Sequence, residues 1–151
     1  MPTFPASQIT PTEAIKLLKE KCGDIRNGAQ KWSADLASDV TGAYIRGMLK
    51  PLVNFIADLD SLGAVPNLQS EAVAEFGAGI VIANDIATMR AAAVAARDEV
   101  LAALPMLNDG NNDYLAIEQA DPVTALTDRM FAPSATATLK AQLDALAATV
   151  S

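Results

Sequence analysis

A chain of 151 residues with 51% hydrophobic and 19% charged side chains can bury a core, which excludes wholesale disorder. Aromatics at 5% and alanine at about a fifth of the chain favour close-packed helices over a sheet. The formal charge is −7, and residues 1–50 hold a dilute net +2 against −9 for the rest, so neither nucleic acid nor anionic lipid is an expected partner.

The sequence predicts an all-α fold: an irregular helical bundle of about five to six helices around a long central helix, with an extended N-terminal arm. Residues 1–10 form the arm and residues 11–151 a single helical domain. Pro2 and Pro5 favour extended backbone, and Phe4 and Ile9 are the apolar side chains such an arm would dock on a neighbour; a frayed terminus is the alternative. The N-terminus lacks the basic and apolar regions of a signal peptide. No apolar run approaches the roughly 20 residues of a transmembrane segment. The expected location is the cytoplasm or an assembled virion.

Thr10-Pro11-Thr12-Glu13 reads as a helix start, with Thr10 as N-cap, Pro11 in the first turn and Glu13 closing a capping box. Ile15, Leu18, Cys22 and Ile25 form its apolar stripe, and Gly23 or Asn27-Gly28 is expected to end it. A second pattern runs from about Ala29 to Leu62, beginning with Trp32, Leu36 and Val40. Pro51 must split or bend it between Gly47 and Pro51. Gly63 is the natural stop, and Pro66 forbids continuation.

The central run is Ser70–Leu104, stopped by Pro105, with Ser70 or Asn67 as N-cap. Ile82, Ile86, Met89, Ala93, Ala96, Val100 and Ala103 share one face. Val73, Phe76, Ile80, Ala83, Ala87, Ala91 and Val94 line a neighbouring face. A helix apolar on two sides belongs at the centre of a domain or between subunits. Gly77 and Gly79 are its weak point. They either end a short first helix or admit a close helix crossing, and the crossing is the preferred reading. A buried strand over Phe76–Asp85 serving a phosphate site is disfavoured, because the glycines come before the strand and not after it.

Asn108–Asp113 is dense in Asp, Asn and Gly, as an exposed loop is. Asp121-Pro122 starts a short helix carrying Val123, Leu126, Met130 and Phe131. Pro133-Ser134 starts the last helix, with Leu139, Leu143, Leu146 and Val150 as its seam.

The chain contains no histidine, which removes Ser-His-Asp and Cys-His catalysis and His-containing zinc or di-iron sites. Its one cysteine, Cys22, reads as a small buried hydrophobe. Asp109, Asn111 and Asp113 have the first oxygen spacings of a calcium loop, but Tyr114 and Ala120 stand where glycine and glutamate are required. Glu71 and Glu75 read as solvated first-turn acids, and neither Asp58 with Asp60 nor Asp98 with Glu99 has dyad spacing. No P-loop, paired CxxC or nucleophile elbow is present. The chain is therefore expected to be no enzyme and to need no cofactor or metal. The expected function is that of a structural subunit packing with copies of itself or other chains; a head, neck or tail component of a bacterial virus is one setting. Its expected interface residues are Phe4, Ile9, Gly77, Gly79, Ile82 and Ile86. A helical adaptor or regulatory module is the alternative, followed by a carboxylate- or metal-dependent enzyme.

Overall fold

The computed structural model describes residues 9–103 and 130–150, and these are mostly helical. Helix α1 (Pro11–Asp35) starts as its sequence dictates, with the Thr10 hydroxyl oxygen accepting the Glu13 N–H at 3.1 Å. It does not stop at Gly23 or Asn27-Gly28. Each glycine costs about 1 kcal/mol against alanine, but the helix beyond them buries Ile25, Ala29 and Ser33, and that burial outweighs the cost. Gly28 also gives Trp32 its place: the indole ring lies 3.4 Å from where a Cβ would stand.

Strand β1 (Val40–Thr41) leads into α2 (Gly42–Arg46), capped by Thr41, whose hydroxyl accepts the Tyr44 N–H at 3.2 Å. The break expected before Pro51 falls at Gly47–Met48, and α3 spans Leu49–Gly63. Pro51 thereby sits in the first turn, where a missing backbone N–H costs nothing.

Helix α4 (Leu68–Phe76) follows Asn67, which takes the left-handed conformation at φ 63° and, rather than Ser70, occupies the N-cap. The continuous central helix does not form. Gly77 adopts φ 108°, and helix α5 begins anew at Ile82 and runs to Ala103. The preferred close crossing at Gly77 and Gly79 is likewise absent among the described residues, since a Cβ at either position meets nothing within 4 Å. The other reading, a separate short first helix, is the one the chain adopts.

Met130 and Phe131 are not helical. They form β2, antiparallel to β1, with Val40 opposite Phe131 and Thr41 opposite Met130. Pro133 supplies the reason, because Ala132 before it is held extended at ψ 158° and the segment leading into it stays extended. A short 3-10 turn (Pro133–Ala135) precedes helix α6 (Ala137–Thr149). The Asp109–Asp113 loop and the start of the Asp121-Pro122 helix lie outside the described residues, as do residues 1–8 of the expected arm.

Helix α1 packs on α6, α3 and α4, and α5 packs on α6 and α3. The shared core takes Leu18 and Ile25 from α1, Leu52 and Leu59 from α3, and Leu143 and Leu146 from α6. Of the face that the spacing groups on α5, Ile82, Ile86, Met89, Ala93, Ala96 and Val100 are buried and Ala103 is half-buried. Alanine at 93 and 96 lets neighbouring backbones approach closely. No helix among the described residues is long and apolar enough to cross a membrane.

Candidate functional site

Four places concentrate chemistry or unsatisfied surface. The first lies where α1 meets α6. Ser33, 4% exposed, donates its hydroxyl hydrogen to Asp144, while Lys140 Nζ donates to Ser33 Oγ at 3.1 Å and to Asp144 at 3.2 Å. The hydrogen bond from Ser33, followed by the Lys140 contacts, holds the Asp144 carboxyl below its ordinary range. A serine nucleophile needs an accessible Oγ and a base to take its proton. Ser33 is buried and already donates to a carboxylate, so the triplet joins two helices. Only its Lys140–Asp144 spacing was readable in sequence; nothing marked Ser33.

The second is a cleft of about 300 Å³ between α1 and α3, lined by Trp32, Pro51, Asn54 and Asp58. Asp58 is 2% exposed with Lys21 Nζ at 3.6 Å, whereas Asp60 turns outward to Arg90 Nε at 2.7 Å. These two acids therefore hold separate partners and form no dyad. Glu75 is taken by Lys19 at 2.6 Å, and Asp98 contacts Arg97 at 3.1 Å.

The third is a cavity of about 540 Å³ between α1, the start of α5 and the end of α6, lined by Leu18, Cys22, Arg26, Ile82, Met89 and Val150 among others. Cys22 Sγ lies 3.5 Å from Met89 Sδ, and burial pushes its thiol up to about 11 against the opposing pull of Arg26. That thiol is protonated at neutral pH and is no nucleophile. The wall mixes Arg26 with Asp85, and no buried polar side-chain atom lacks a partner among the described residues. No ligand chemistry is singled out. Nor do three or more metal-ligating side chains cluster among the described residues.

The fourth is the elbow between α4 and α5. Gln69 reaches across it, donating from Nε2 to the Ile80 carbonyl at 2.8 Å and accepting the Ile82 N–H on Oε1 at 2.9 Å. Phe76 and Val81 stand 46% and 51% exposed on either side of the bend. Ala83, Ala87 and Ala91 continue along α5 as an exposed apolar face.

Of the expected interface residues, Phe4 lies outside the described residues and Ile9 is half-buried against the core. Gly77 and Gly79 are exposed at the elbow. Ile82 and Ile86 are 5% and 7% exposed within the chain's own core, so the side of α5 left open is the alanine face. No family model matches the chain, and no curated protein or solved structure matches it either.

Proposed function

We propose that this chain is a non-enzymatic structural subunit, an irregular helical bundle that assembles with copies of itself or with other chains through the α4–α5 elbow and the alanine face of α5. One observation carries the reading. The two apolar sides of this sequence run differ among the described residues: Ile86, Met89 and Ala93 are buried, while on the other side Ala83, Ala87 and Ala91 are exposed and Ile80 and Val94 are half-buried against the core. Small side chains let helices approach closely, and the exposed Phe76 and Val81 supply larger apolar side chains at the elbow before α5. A virion component of a bacterial virus is one setting for such a subunit, and the Phe4 and Ile9 arm is a second element that would reach a neighbour.

Light scattering over a range of concentration tests the reading. A discrete oligomer that Ala87→Glu with Ala91→Glu returns to monomer, with helical content unchanged, is the expected result. A monomer at every concentration, alone and with candidate partner chains, rejects it. The cavity beside Cys22 favours the second reading, a helical binding or regulatory module. That reading expects a monomer whose Cys22 is shielded from alkylation by a bound ligand.

A further inference from the structure

Helix α6 lies between α1 and α5 and packs on both. Its Lys140 and Asp144 meet Ser33, and about two turns further on Val150 stands in the cavity wall with Cys22 and Arg26. Helix α6 therefore runs down α1 toward that helix's start and gives out at Thr149. The groove between α1 and α5 goes on past it as the cavity of about 540 Å³, walled by Leu18 and Cys22 on one side and by Ile82 and Met89 on the other. An apolar helix closes the groove along α6, and an apolar side chain is what would close its end.

We propose that this cavity is the socket for Phe4 of the same chain, carried there by the N-terminal arm. Three observations select that occupant. Ile9, just before the Thr10 cap, is half-buried against the core, so the arm joins the domain along the domain's own surface. The cavity begins at Leu18, about 12 Å along α1 from Thr10, and the extended chain from Thr10 back to Phe4 reaches up to about 20 Å. Residues 2–8, Pro-Thr-Phe-Pro-Ala-Ser-Gln, hold no charged side chain, and Phe4 is their one large apolar group.

The charges around the cavity suit such an occupant. Lys19 is engaged by Glu75, and Arg26 and Asp85 oppose each other in sign, so the wall favours a neutral group over an anion or a cation. A buried phenylalanine withdraws about 150–250 Å² from water. Pro2 and Pro5 on either side of Phe4 stiffen the arm, so less freedom is lost on docking. The inference goes beyond the assembly reading and does not depend on it: in the free chain, the arm is held on its own domain.

Cys22 is the chain's one cysteine, so its alkylation by N-ethylmaleimide reports on the cavity in the full chain. Phe4→Ala is expected to speed alkylation by about fivefold or more with helical content unchanged, and Phe4→Leu to stay close to the parent. Carbon-13-labelled chain diluted into unlabelled chain then assigns the contact, with nuclear Overhauser effects expected from the Phe4 ring to the Met89 methyl within one chain. An alkylation rate that Phe4→Ala leaves unchanged overturns the socket, as does a Phe4 ring with no such effect to Met89 of its own chain. Effects confined to pairs of different chains overturn it by placing a neighbour's Phe4 in the cavity. None of these results bears on the α4–α5 surface, which the light-scattering test decides.

Discussion

Gln69 starts the helix that follows it: its Oε1 accepts the N–H of Ile82, the first residue of α5, at 2.9 Å. An N-cap normally comes from the residue just before the helix, and here the oxygen arrives from the preceding helix. Gln69→Ala is expected to cost about 1–2 kcal/mol, a fall in Tm of about 2–8 °C for a chain of this size. Gln69→Glu keeps the acceptor and adds negative charge at a positive helix end, but loses the donor to Ile80 at 2.8 Å. It should lose roughly half as much. Equal losses for both variants in a thermal melt would show that the Ile82 bond contributes nothing.

The two sides of α5 should differ in their response to added volume. Ala93 is fully buried, and Ala93→Leu is expected to cost about 1–3 kcal/mol by overpacking. Ala87 is exposed, and Ala87→Leu should stay within about 0.5 kcal/mol of the parent. Urea unfolding of both variants checks the assignment of faces.

Ser33→Ala should lower stability by about 1 kcal/mol. The Asp144 carboxyl is held low chiefly by the Ser33 hydrogen bond, so this stabilisation is complete above the ordinary carboxyl value of 3.8 and is lost as pH falls through the lower folded value. The difference between parent and variant should therefore shrink in acid and stay constant from pH 5 to 8. An organofluorophosphonate serine probe should leave the buried Ser33 unlabelled.

At the alkaline end two groups are held neutral. Burial pushes the Cys22 thiol from 9.0 up to about 11. Burial first, then the hydrogen bond to Asp35, pushes the Tyr44 phenol from 10.0 up to about 12. A raised folded value means full stability below the ordinary value and a loss as pH climbs toward the folded one. The urea midpoint should fall between pH 9 and 12, with Cys22→Ala flattening the lower part of that fall and Tyr44→Phe the upper part. A fall identical in both variants would place its origin elsewhere.

Local chemistry was legible where one side chain decides it. Thr10 and Pro11 fixed the start of α1, Pro51 placed the break between Gly47 and Pro51, where it falls at Gly47–Met48, and the spacing of Ile82 to Val100 grouped residues that share one face of α5. Misreadings arose where long-range packing competes with a local signal. Gly23 and Gly28 resemble stops, but α1 is carried past them by Ile25 and Ala29 packing into the core. Gly77 resembles a small residue at a crossing until its positive φ is seen, and the Gln69 clamp that stabilises the bend spans eleven and thirteen residues without any motif. Of the candidate site, the alanine face was visible as a pattern. Which side of α5 faces outward was not, because that depends on where α3 and α6 lie.

The pairing of α1 with α6, tied by Ser33 and Asp144 across 111 residues of chain, also sets an order of events during synthesis. Helix α1 leaves the ribosome well before α6, its main packing partner among the described residues. At about 5–20 residues per second the delay is roughly 6–22 seconds. Helices α3 and α4 reach α1 earlier, but its α6-facing side, Ser33 included, spends that interval uncovered, and long-range closure of this kind is the slow kind. The newborn chain is thus most exposed to chaperones, and to copies of itself on the same message, along the surface that α6 later covers.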